Sequence, residues 1–230
     1  MTRALLLPGW GFSVGVFDSL CAALGNGFVC DGMDKAARDD GGAIPAAVAE
    51  QIDAADVLIG WSLGGLQALQ LALQAPERVS RLVLLAATPC FTERADWDAG
   101  MPAEVFRGFR QQLHEDARAA MQQFVRLNAG SRPSADMRRR LSDHMVEPEP
   151  VALMTGMDVL ANTDLRDNIP AVQARVLILQ ALDDRLVSPL AGRWLSDRLP
   201  DARLVEFATG GHAFFLGRPD IVAGEIFQWL

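Results

Sequence analysis

The sequence lacks the features that mark a membrane-spanning, disulfide-rich or metal-binding protein. No apolar run reaches the roughly 18 uncharged residues that a membrane-spanning helix requires. The three cysteines, Cys21, Cys30 and Cys90, are scattered without CxxC spacing, so we expect neither a disulfide framework nor a metal site, and we expect a reducing cytoplasm. The first residues lead straight into a short apolar strand without a small-residue cleavage site, so no signal peptide is expected.

Excess positive charge, internal repeats and low-complexity segments are missing as well. The 21 lysines and arginines against 29 acidic residues give a net charge of −8, which argues against general nucleic-acid binding. Half of the 230 residues are apolar, enough for one domain with a sizeable core. We therefore expect a single cytoplasmic domain, a monomer by preference, with no membrane or nucleic-acid partner and no metal or organic cofactor.

Short apolar strands alternate with helical patterns at both ends of the chain. Strands are predicted at Ala4–Leu7, Gly27–Cys30, Val57–Ile59, Arg81–Ala86, Arg175–Leu179 and Ala202–Phe207. Helices are predicted at Val16–Leu24, Ala43–Ile52, Leu190–Arg198 and Pro219–Leu230, and directly after the third strand. This rhythm is typical of an α/β fold with a mostly parallel sheet and helices on both faces, formed here by residues 1–90 and 170–230.

The rhythm stops between Phe91 and Ile169, where no convincing strand occurs. Helical patterns occupy this segment at Glu104–Leu113, Glu115–Leu127, Ala135–Met145 and Glu149–Leu160. We interpret residues 91–169 as a helical cap, or lid, inserted between strands and packed over the carboxyl edge of the sheet.

A serine lies between glycines where the third strand gives way to a helix. The pattern G-x-S-x-G is met by Gly60-Trp61-Ser62-Leu63-Gly64 and resembles the nucleophile elbow of α/β-hydrolases. Glycines are needed because such a serine stands on a tight turn in strained backbone geometry. The pattern alone is weak, but the strand before it and the helix after it strengthen it. Ser62 is the predicted nucleophile, with the helix N-terminus favouring developing negative charge.

A serine hydroxyl needs a base, and in the α/β-hydrolase order the histidine follows the last strand. His212 lies in the Gly-rich turn just after Ala202–Phe207, whereas His114 and His144 fall in helical patterns of the cap. His212 is therefore the predicted base. The alternative is a loop histidine that only caps a helix.

The orienting acid is expected directly after the strand Arg175–Leu179. Asp184 precedes Val187 by three positions, the spacing of the acid in Asp-x-x-Val hydrolase loops, and is the favoured candidate. Asp183 is the alternative, although a turn-forming role suits it better.

Two backbone N–H groups should form an oxyanion hole. One comes from the residue after the nucleophile, Leu63, and the other from the glycine-rich turn after the first strand, where we favour Trp10. The Trp10 indole is also expected to line the pocket, with plain core filling as the alternative.

These motifs resemble the α/β-hydrolase superfamily throughout and, within it, the pimeloyl-[acyl-carrier protein] methyl ester esterases of biotin synthesis. The resemblance rests on Pro8-Gly9-Trp10-Gly11, on the Trp-bearing elbow, on Asp184-Arg185-Leu186-Val187 and on Gly211-His212-Ala213-Phe214-Phe215. A cap motif, Phe124-Val125-Arg126-Leu127-Asn128, completes it, with Asn128 where the family typically has glutamine. The resemblance implies that substrate is bound by Trp10, Ser62, Leu63, Phe124, Val125, Arg126, Leu127, Asn128 and His212.

Six arginines and a single acid, Asp136, lie between Arg118 and Arg140. The resemblance implies that arginines of the cap dock the acidic acyl carrier protein, and arginine forks suit carboxylates and phosphate. The candidates are Arg126, Arg132, Arg138 and Arg139; a solvated helix face is the alternative. An acyl tunnel of flexible apolar side chains could be lined by Met121, Phe124, Leu127, Met154, Met157 and Leu160.

The sequence therefore predicts a serine carboxylic-ester hydrolase working through Ser62, His212 and Asp184 and an acyl-enzyme. Its implied substrate is the methyl ester of pimeloyl-acyl carrier protein. One alternative is a broad-specificity short-acyl carboxylesterase or thioesterase that needs no carrier protein. Another is a non-catalytic hydrolase-fold binding protein, which the complete set of three side chains disfavours.

Overall fold

The computed structural model describes residues 1–33, 46–130, 135–147 and 149–230. Its centre is a six-stranded sheet in the order β2-β1-β3-β4-β5-β6, with every neighbouring pair parallel. The strands are β1 (Thr2–Leu7), β2 (Phe28–Gly32), β3 (Val57–Trp61), β4 (Arg81–Leu85), β5 (Arg175–Ala181) and β6 (Ala202–Phe207). The predicted α/β class and parallel sheet are confirmed.

Helices connect these strands, most of them where the periodicity predicts. They are α1 (Asp18–Leu24), α2 (Ala46–Asp53), α3 (Leu63–Gln74), α4 (Ala103–Glu115), α5 (Ala117–Asn128), α6 (Ala135–Asp143), α7 (Pro150–Asn162), α8 (Pro189–Arg198), α9 (Phe214–Gly217) and α10 (Pro219–Trp229). Short 3₁₀ helices span Val14–Phe17, Gly25–Gly27 and Arg166–Ala171. The short α9 is not among the predicted helices, and the one predicted from Val16 starts as a 3₁₀ turn before α1. The start of the helix predicted at Ala43 lies outside the described residues.

One predicted helix ends early for a tertiary reason. The pattern Ala135–Met145 predicts a helix to Met145, but α6 ends at Asp143. The backbone beyond it pairs with the turn after β1, through Ser13 N–H to the His144 carbonyl (2.9 Å) and Val146 N–H to the Gly11 carbonyl (3.0 Å). Those hydrogen bonds replace a further helical turn and join the inserted helices to the sheet.

Alternate strand residues supply two separate hydrophobic layers. Ala4 and Leu6 of β1 pack with α1, α9 and α10 on one face, whereas Leu5 and Leu7 pack with α2, α3 and α8 on the other. This is the period of two expected of a strand whose faces are both covered. The sheet is therefore buried on both sides, and its carboxyl edge is left for the connecting loops.

Of the described helices between β4 and β5, α4, α5 and α7 form a third apolar layer above that edge, whereas Leu141 of α6 packs in the layer of α1, α9 and α10. Trp10 and Leu63, which follow β1 and β3, pack there against Phe106, Met121 and Met157 from three of these helices. The Trp10 indole N–H donates to the Leu153 carbonyl of α7 at 2.9 Å. Within the described ranges, the helices are too short or too polar for any of them to cross a membrane.

Candidate active site

The elbow serine stands in the strained backbone geometry that its sequence predicts. Ser62 has φ 56° and ψ −117°, a left-handed conformation unusual for a residue with a side chain. Its N–H donates to the Leu85 carbonyl of β4 at 3.0 Å, and its carbonyl accepts from two N–H groups of α3. These hydrogen bonds hold the serine at the N-terminus of that helix.

The flanking glycines are required by close backbone contacts. A Cβ atom on Gly60 would lie 2.5 Å from the Gly64 carbonyl oxygen, and one on Gly64 would lie 2.0 Å from the Leu7 carbonyl oxygen. Any side chain at either position would therefore push the turn away from the sheet.

Asp184 and His212 form a buried pair. His212 Nδ1 lies 2.8 Å from Asp184 Oδ2, and the two side chains are 1% and 0% exposed. Because a carboxylate only accepts hydrogen bonds, Nδ1 carries the ring proton and Nε2 is left as the basic nitrogen. The other oxygen, Asp184 Oδ1, accepts from the N–H groups of Leu186 (2.8 Å) and Val187 (3.0 Å). This carboxylate is thus fixed by its own loop while it orients the imidazole.

Asp183 precedes Asp184 in the chain, but its carboxylate contacts a backbone N–H group of the histidine loop. Its Oδ1 accepts from the Gly211 N–H at 2.7 Å. The structure therefore brings Asp184, and not Asp183, to the imidazole ring, and gives Asp183 a contact with the loop that carries it.

Two further backbone contacts hold the histidine loop. The Trp61 indole N–H donates to the His212 carbonyl at 3.0 Å, and the Ala213 N–H donates to the Asn128 carbonyl at the end of α5 at 3.1 Å. Gly130 packs so closely on Gly211 that a Cβ atom on Gly211 would lie 2.4 Å from the Gly130 backbone. The inserted helices and the histidine loop are therefore joined through their backbones.

Ser62 and His212 line the same cavity, of about 210 Å³, beneath the inserted helices. The rest of its wall is mostly apolar: Trp10, Phe91, Met101, Val105, Phe106, Phe109, Phe124, Leu127, Met157, Leu160 and Leu186, with Gly108, Gln112 and Gln123. The Ser62 hydroxyl makes no capping bond to α3, which leaves it available to the imidazole. In enzymes without substrate, the hydrogen bond between a catalytic serine and its histidine is often long and forms fully only when substrate binds.

Trp10 and Leu63 carry the N–H groups predicted to hold an oxyanion. Leu63 is the first residue of α3, where a helix leaves its N–H groups without intrahelical acceptors. Trp10 lines the cavity, with its ring edge-to-face on Phe124 at 4.9 Å and on Phe109 at 5.8 Å between centroids. The Trp10 indole therefore forms part of the cavity wall and also packs between the sheet and the inserted helices.

The five residues of the cap motif divide between the cavity and its supports. Phe124 and Leu127 line the cavity, whereas Val125 is buried in the layer beneath and the Arg126 side chain is exposed. Asn128 is fully buried away from the cavity. Its Nδ2 donates to the Phe124 carbonyl at 2.8 Å, while its Oδ1 has no hydrogen-bond partner within the described part of the chain.

The predicted docking arginines differ in their pairing. Arg139 is held by Asp136 at 2.6 Å, and the same carboxylate pairs with Arg140 at 2.7 Å. Arg126 and Arg138 are exposed and, within the described ranges, form no ion pair, whereas Arg132 lies outside those ranges. The described part of the chain also brings no three His, Cys, Asp or Glu side chains together as a metal site.

Comparison with known proteins identifies the family of the chain. A family model described as alpha/beta hydrolase fold matches residues 50–219. The chain belongs to the α/β-hydrolase family. A pimeloyl-[acyl-carrier protein] methyl ester esterase of Nitrosomonas europaea is 34% identical over 228 residues, covering 94% of this α/β-hydrolase and 90% of the relative. The protein of the same name from Xanthomonas axonopodis pv. citri is 37% identical over 232 residues, covering 95% and 91%.

Solved structures show the same fold at lower identity. An esterase from Exiguobacterium antarcticum superposes with a TM-score of 0.83 at 21% identity, covering 100% of this α/β-hydrolase and 91% of that chain. A hydrolase from Oleispira antarctica gives 0.84 at 17% identity, covering 99% and 90%. Together with the family match, the esterase relatives identify the chain as a carboxylic ester hydrolase.

Sequence reasoning missed several residues around the site. Phe91, Phe106 and Phe109 line the cavity. The helical spacing of Phe106 and Phe109 does not distinguish a cavity wall from ordinary core, and Phe91 lies in the loop before α4. Gln180 was also missed, because the strand predicted to end at Leu179 continues to Ala181. The sequence does show that Gln180 directly follows the apolar run Val176–Leu179, which is the pattern by which it could have been noticed.

Proposed function

We propose that this α/β-hydrolase is a serine esterase that cleaves the methyl ester of pimeloyl-acyl carrier protein by way of an acyl-enzyme. The observation that carries the proposal is the buried Asp184–His212 pair, 2.8 Å apart, facing the same apolar cavity as the strained Ser62. The substrate is taken from the name shared by relatives that are 34% and 37% identical over most of the chain.

The chemistry assigns one role to each side chain. His212 Nε2 takes the proton of Ser62 Oγ, which attacks the ester carbonyl carbon. The N–H groups of Trp10 and Leu63 hold the oxyanion of the tetrahedral intermediate. His212 returns the proton to the departing alkoxide, methanol leaves, and the acyl group stays on Ser62. Water then gives a proton to His212 and attacks the acyl-enzyme; the bond from the acyl carbon to Ser62 Oγ breaks, His212 returns the proton to Oγ, and the free acid leaves.

The inserted helices would act as a cap that binds the acyl chain. We propose residues 91–169 as this cap and residues 1–90 and 170–230 as the hydrolase core. Phe124, Leu127 and Met157 present flexible or aromatic apolar surface to the cavity, which suits a methylene chain better than a polar or branched one.

A carrier protein would dock on the exposed arginines of the cap. Arg126 and Arg138 form no ion pair within the described ranges and so can pair with an acidic partner without first breaking a contact. Reversing both charges, by Arg126→Glu and Arg138→Glu, should raise the KM for a carrier-bound ester at low salt. The difference should shrink in 1 M salt, where the Debye length is about 3 Å. The same double variant assayed with a free p-nitrophenyl ester serves as the control, because that substrate brings no acidic partner and its KM should not change.

Turnover of two substrates tests the proposal. The carrier-bound methyl ester should be cleaved with a higher kcat/KM than a free short p-nitrophenyl ester, and Ser62→Ala should abolish both reactions. Equal or better turnover of the free ester would favour a short-acyl esterase that needs no carrier. Hydrolysis that survives Ser62→Ala would refute the serine mechanism itself.

A further inference from the structure

A buried glutamine lies beneath the proposed catalytic pair with an unusual set of neighbours. Gln180, the second-last residue of strand β5, is fully buried. Its Nε2 lies 3.1 Å from Asp184 Oδ2, 3.2 Å from the Ala181 carbonyl oxygen and 3.4 Å from the Val187 carbonyl oxygen. All three neighbours only accept hydrogen bonds, so the NH₂ group must face them.

The oxygen of the same amide forms no stabilising contact that would explain a glutamine here. Gln180 Oε1 is buried and has no hydrogen-bond partner among the residues that the structure describes. A buried acceptor without a partner is unfavourable, and an apolar side chain of similar volume would avoid it. The glutamine is therefore explained by what its NH₂ group does.

That NH₂ group acts on the oxygen that contacts the imidazole. Asp184 Oδ2 accepts from His212 Nδ1 and from Gln180 Nε2, while Oδ1 accepts from two backbone N–H groups. Four donors thus fix both oxygens of a carboxylate that water does not reach. We propose that Gln180 is a positioning residue, which holds the Asp184 carboxylate in the orientation that directs His212 at Ser62. This inference rests on the proposed function.

Charged side chains near the Asp184–His212 pair come from the loop that carries Asp184 and from the neighbouring strand and helix. Asp183 and the exposed Arg185 flank Asp184 in its loop. Glu206 of β6 is the register partner of Gln180, and its carboxylate is held by Arg193 of α8 at 2.8 Å. Because an ionised glutamate only accepts hydrogen bonds, the donor to Asp184 from the strand side is the Gln180 amide and not Glu206.

Two substitutions separate the amide's roles. Gln180→Met keeps a similar volume but removes the donor, and Gln180→Glu keeps the shape but places an acceptor against Asp184 Oδ2. Gln173→Met, on an exposed residue just before β5, is the matched control. The assay is the pH profile of kcat and KM with a p-nitrophenyl ester, with thermal unfolding to identify folded variants.

Gln180→Met should lower kcat about tenfold with little change in KM, as expected from losing one hydrogen bond to a charged group. The acid limb of its kcat/KM profile should move to higher pH, because a carboxylate with fewer donors attracts the imidazolium proton more strongly. Gln180→Glu should lose more activity than Gln180→Met. A folded Gln180→Met enzyme with the kcat and pH profile of the parent would overturn the proposal.

A spectroscopic measurement keeps the inference separate from the proposed function. The downfield proton resonance of His212 Nδ1–H can be recorded in a Ser62→Ala background, without turnover. Gln180→Met should shift this resonance, and an unchanged resonance would overturn the inference even if the variant lost activity. If Ser62→Ala or His212→Ala left ester hydrolysis intact, the proposed function would fail instead, whatever the resonance showed.

Discussion

Replacing Asp184 with asparagine should nearly abolish activity while leaving the fold in place. Asp184 Oδ1 accepts from the backbone N–H groups of Leu186 and Val187, so the oxygen of an asparagine must take that side. Its NH₂ group then occupies the place of Oδ2, where it meets His212 Nδ1 at 2.8 Å and the Gln180 NH₂ group at 3.1 Å. To avoid two donors facing each other, His212 must carry its proton on Nε2.

In that tautomer the nitrogen directed at the cavity no longer accepts the Ser62 proton. Loss of the correct tautomer in a Ser-His-Asp triad costs about 10⁴ in kcat, which equals about 5.5 kcal/mol of transition-state stabilisation. The clash with Gln180 adds to this loss, because its NH₂ group would keep only the two carbonyl acceptors. We therefore expect Asp184→Asn to lose about 10⁴-fold or more in kcat.

The assay is p-nitrophenyl ester hydrolysis under saturating conditions, with circular dichroism to verify folding. Asp183→Asn is the matched control one position away: an asparagine there keeps an acceptor for the Gly211 N–H, so the loss should stay below about threefold. Equal losses for the two variants, or a larger loss for Asp183→Asn, would refute the assignment of the acid.

Three further predictions concern the rest of the chain. Gly211→Ala places a side chain at φ 66° against the backbone of the loop after α5, so kcat should fall about tenfold or more, measured beside thermal unfolding; parent-like kcat would contradict the backbone contact. Gly108 is exposed at the cavity wall with nothing within 4 Å of an added Cβ, so Gly108→Trp should raise KM for long acyl esters and spare acetyl esters; equal effects on both would contradict this. A hydrogen bond from Cys21 lowers the pKa of Cys30 and burial raises the pKa of Cys90. Iodoacetamide should therefore modify Cys30 well before Cys90, more slowly as pH falls, and mass spectrometry showing the reverse order would contradict this.

The parts of the site that depend on local sequence could be predicted. The glycines around Ser62 predict that strand and helix approach each other closely. In the structure, backbone carbonyl oxygens lie where side chains at Gly60 and Gly64 would have to be. Chain order then pointed to His212 and Asp184, because both follow strands whose carboxyl ends meet at one edge. The structure brings these two together, and their catalytic roles remain predictions.

Features set by tertiary contacts could not be predicted. The end of α6 depends on backbone pairing with the turn after β1, which its own periodicity does not contain. The count of arginines in the cap did not reveal that Asp136 pairs with Arg139 and Arg140. The hydrogen bond from Gln180 to Asp184 likewise joins a strand residue to a loop residue four positions later. Sequence patterns describe the strand and the loop separately, so they do not show this contact.

Covalent labelling tests the central claim most directly, namely that Ser62 becomes a nucleophile through His212. The protein is treated with a fluorophosphonate, digested and analysed by peptide mass spectrometry, in parent, Ser62→Ala and His212→Ala forms. We predict one adduct, on Ser62, lost in Ser62→Ala and formed far more slowly in His212→Ala. An adduct on another residue, or labelling of Ser62 at an unchanged rate without His212, would contradict the account.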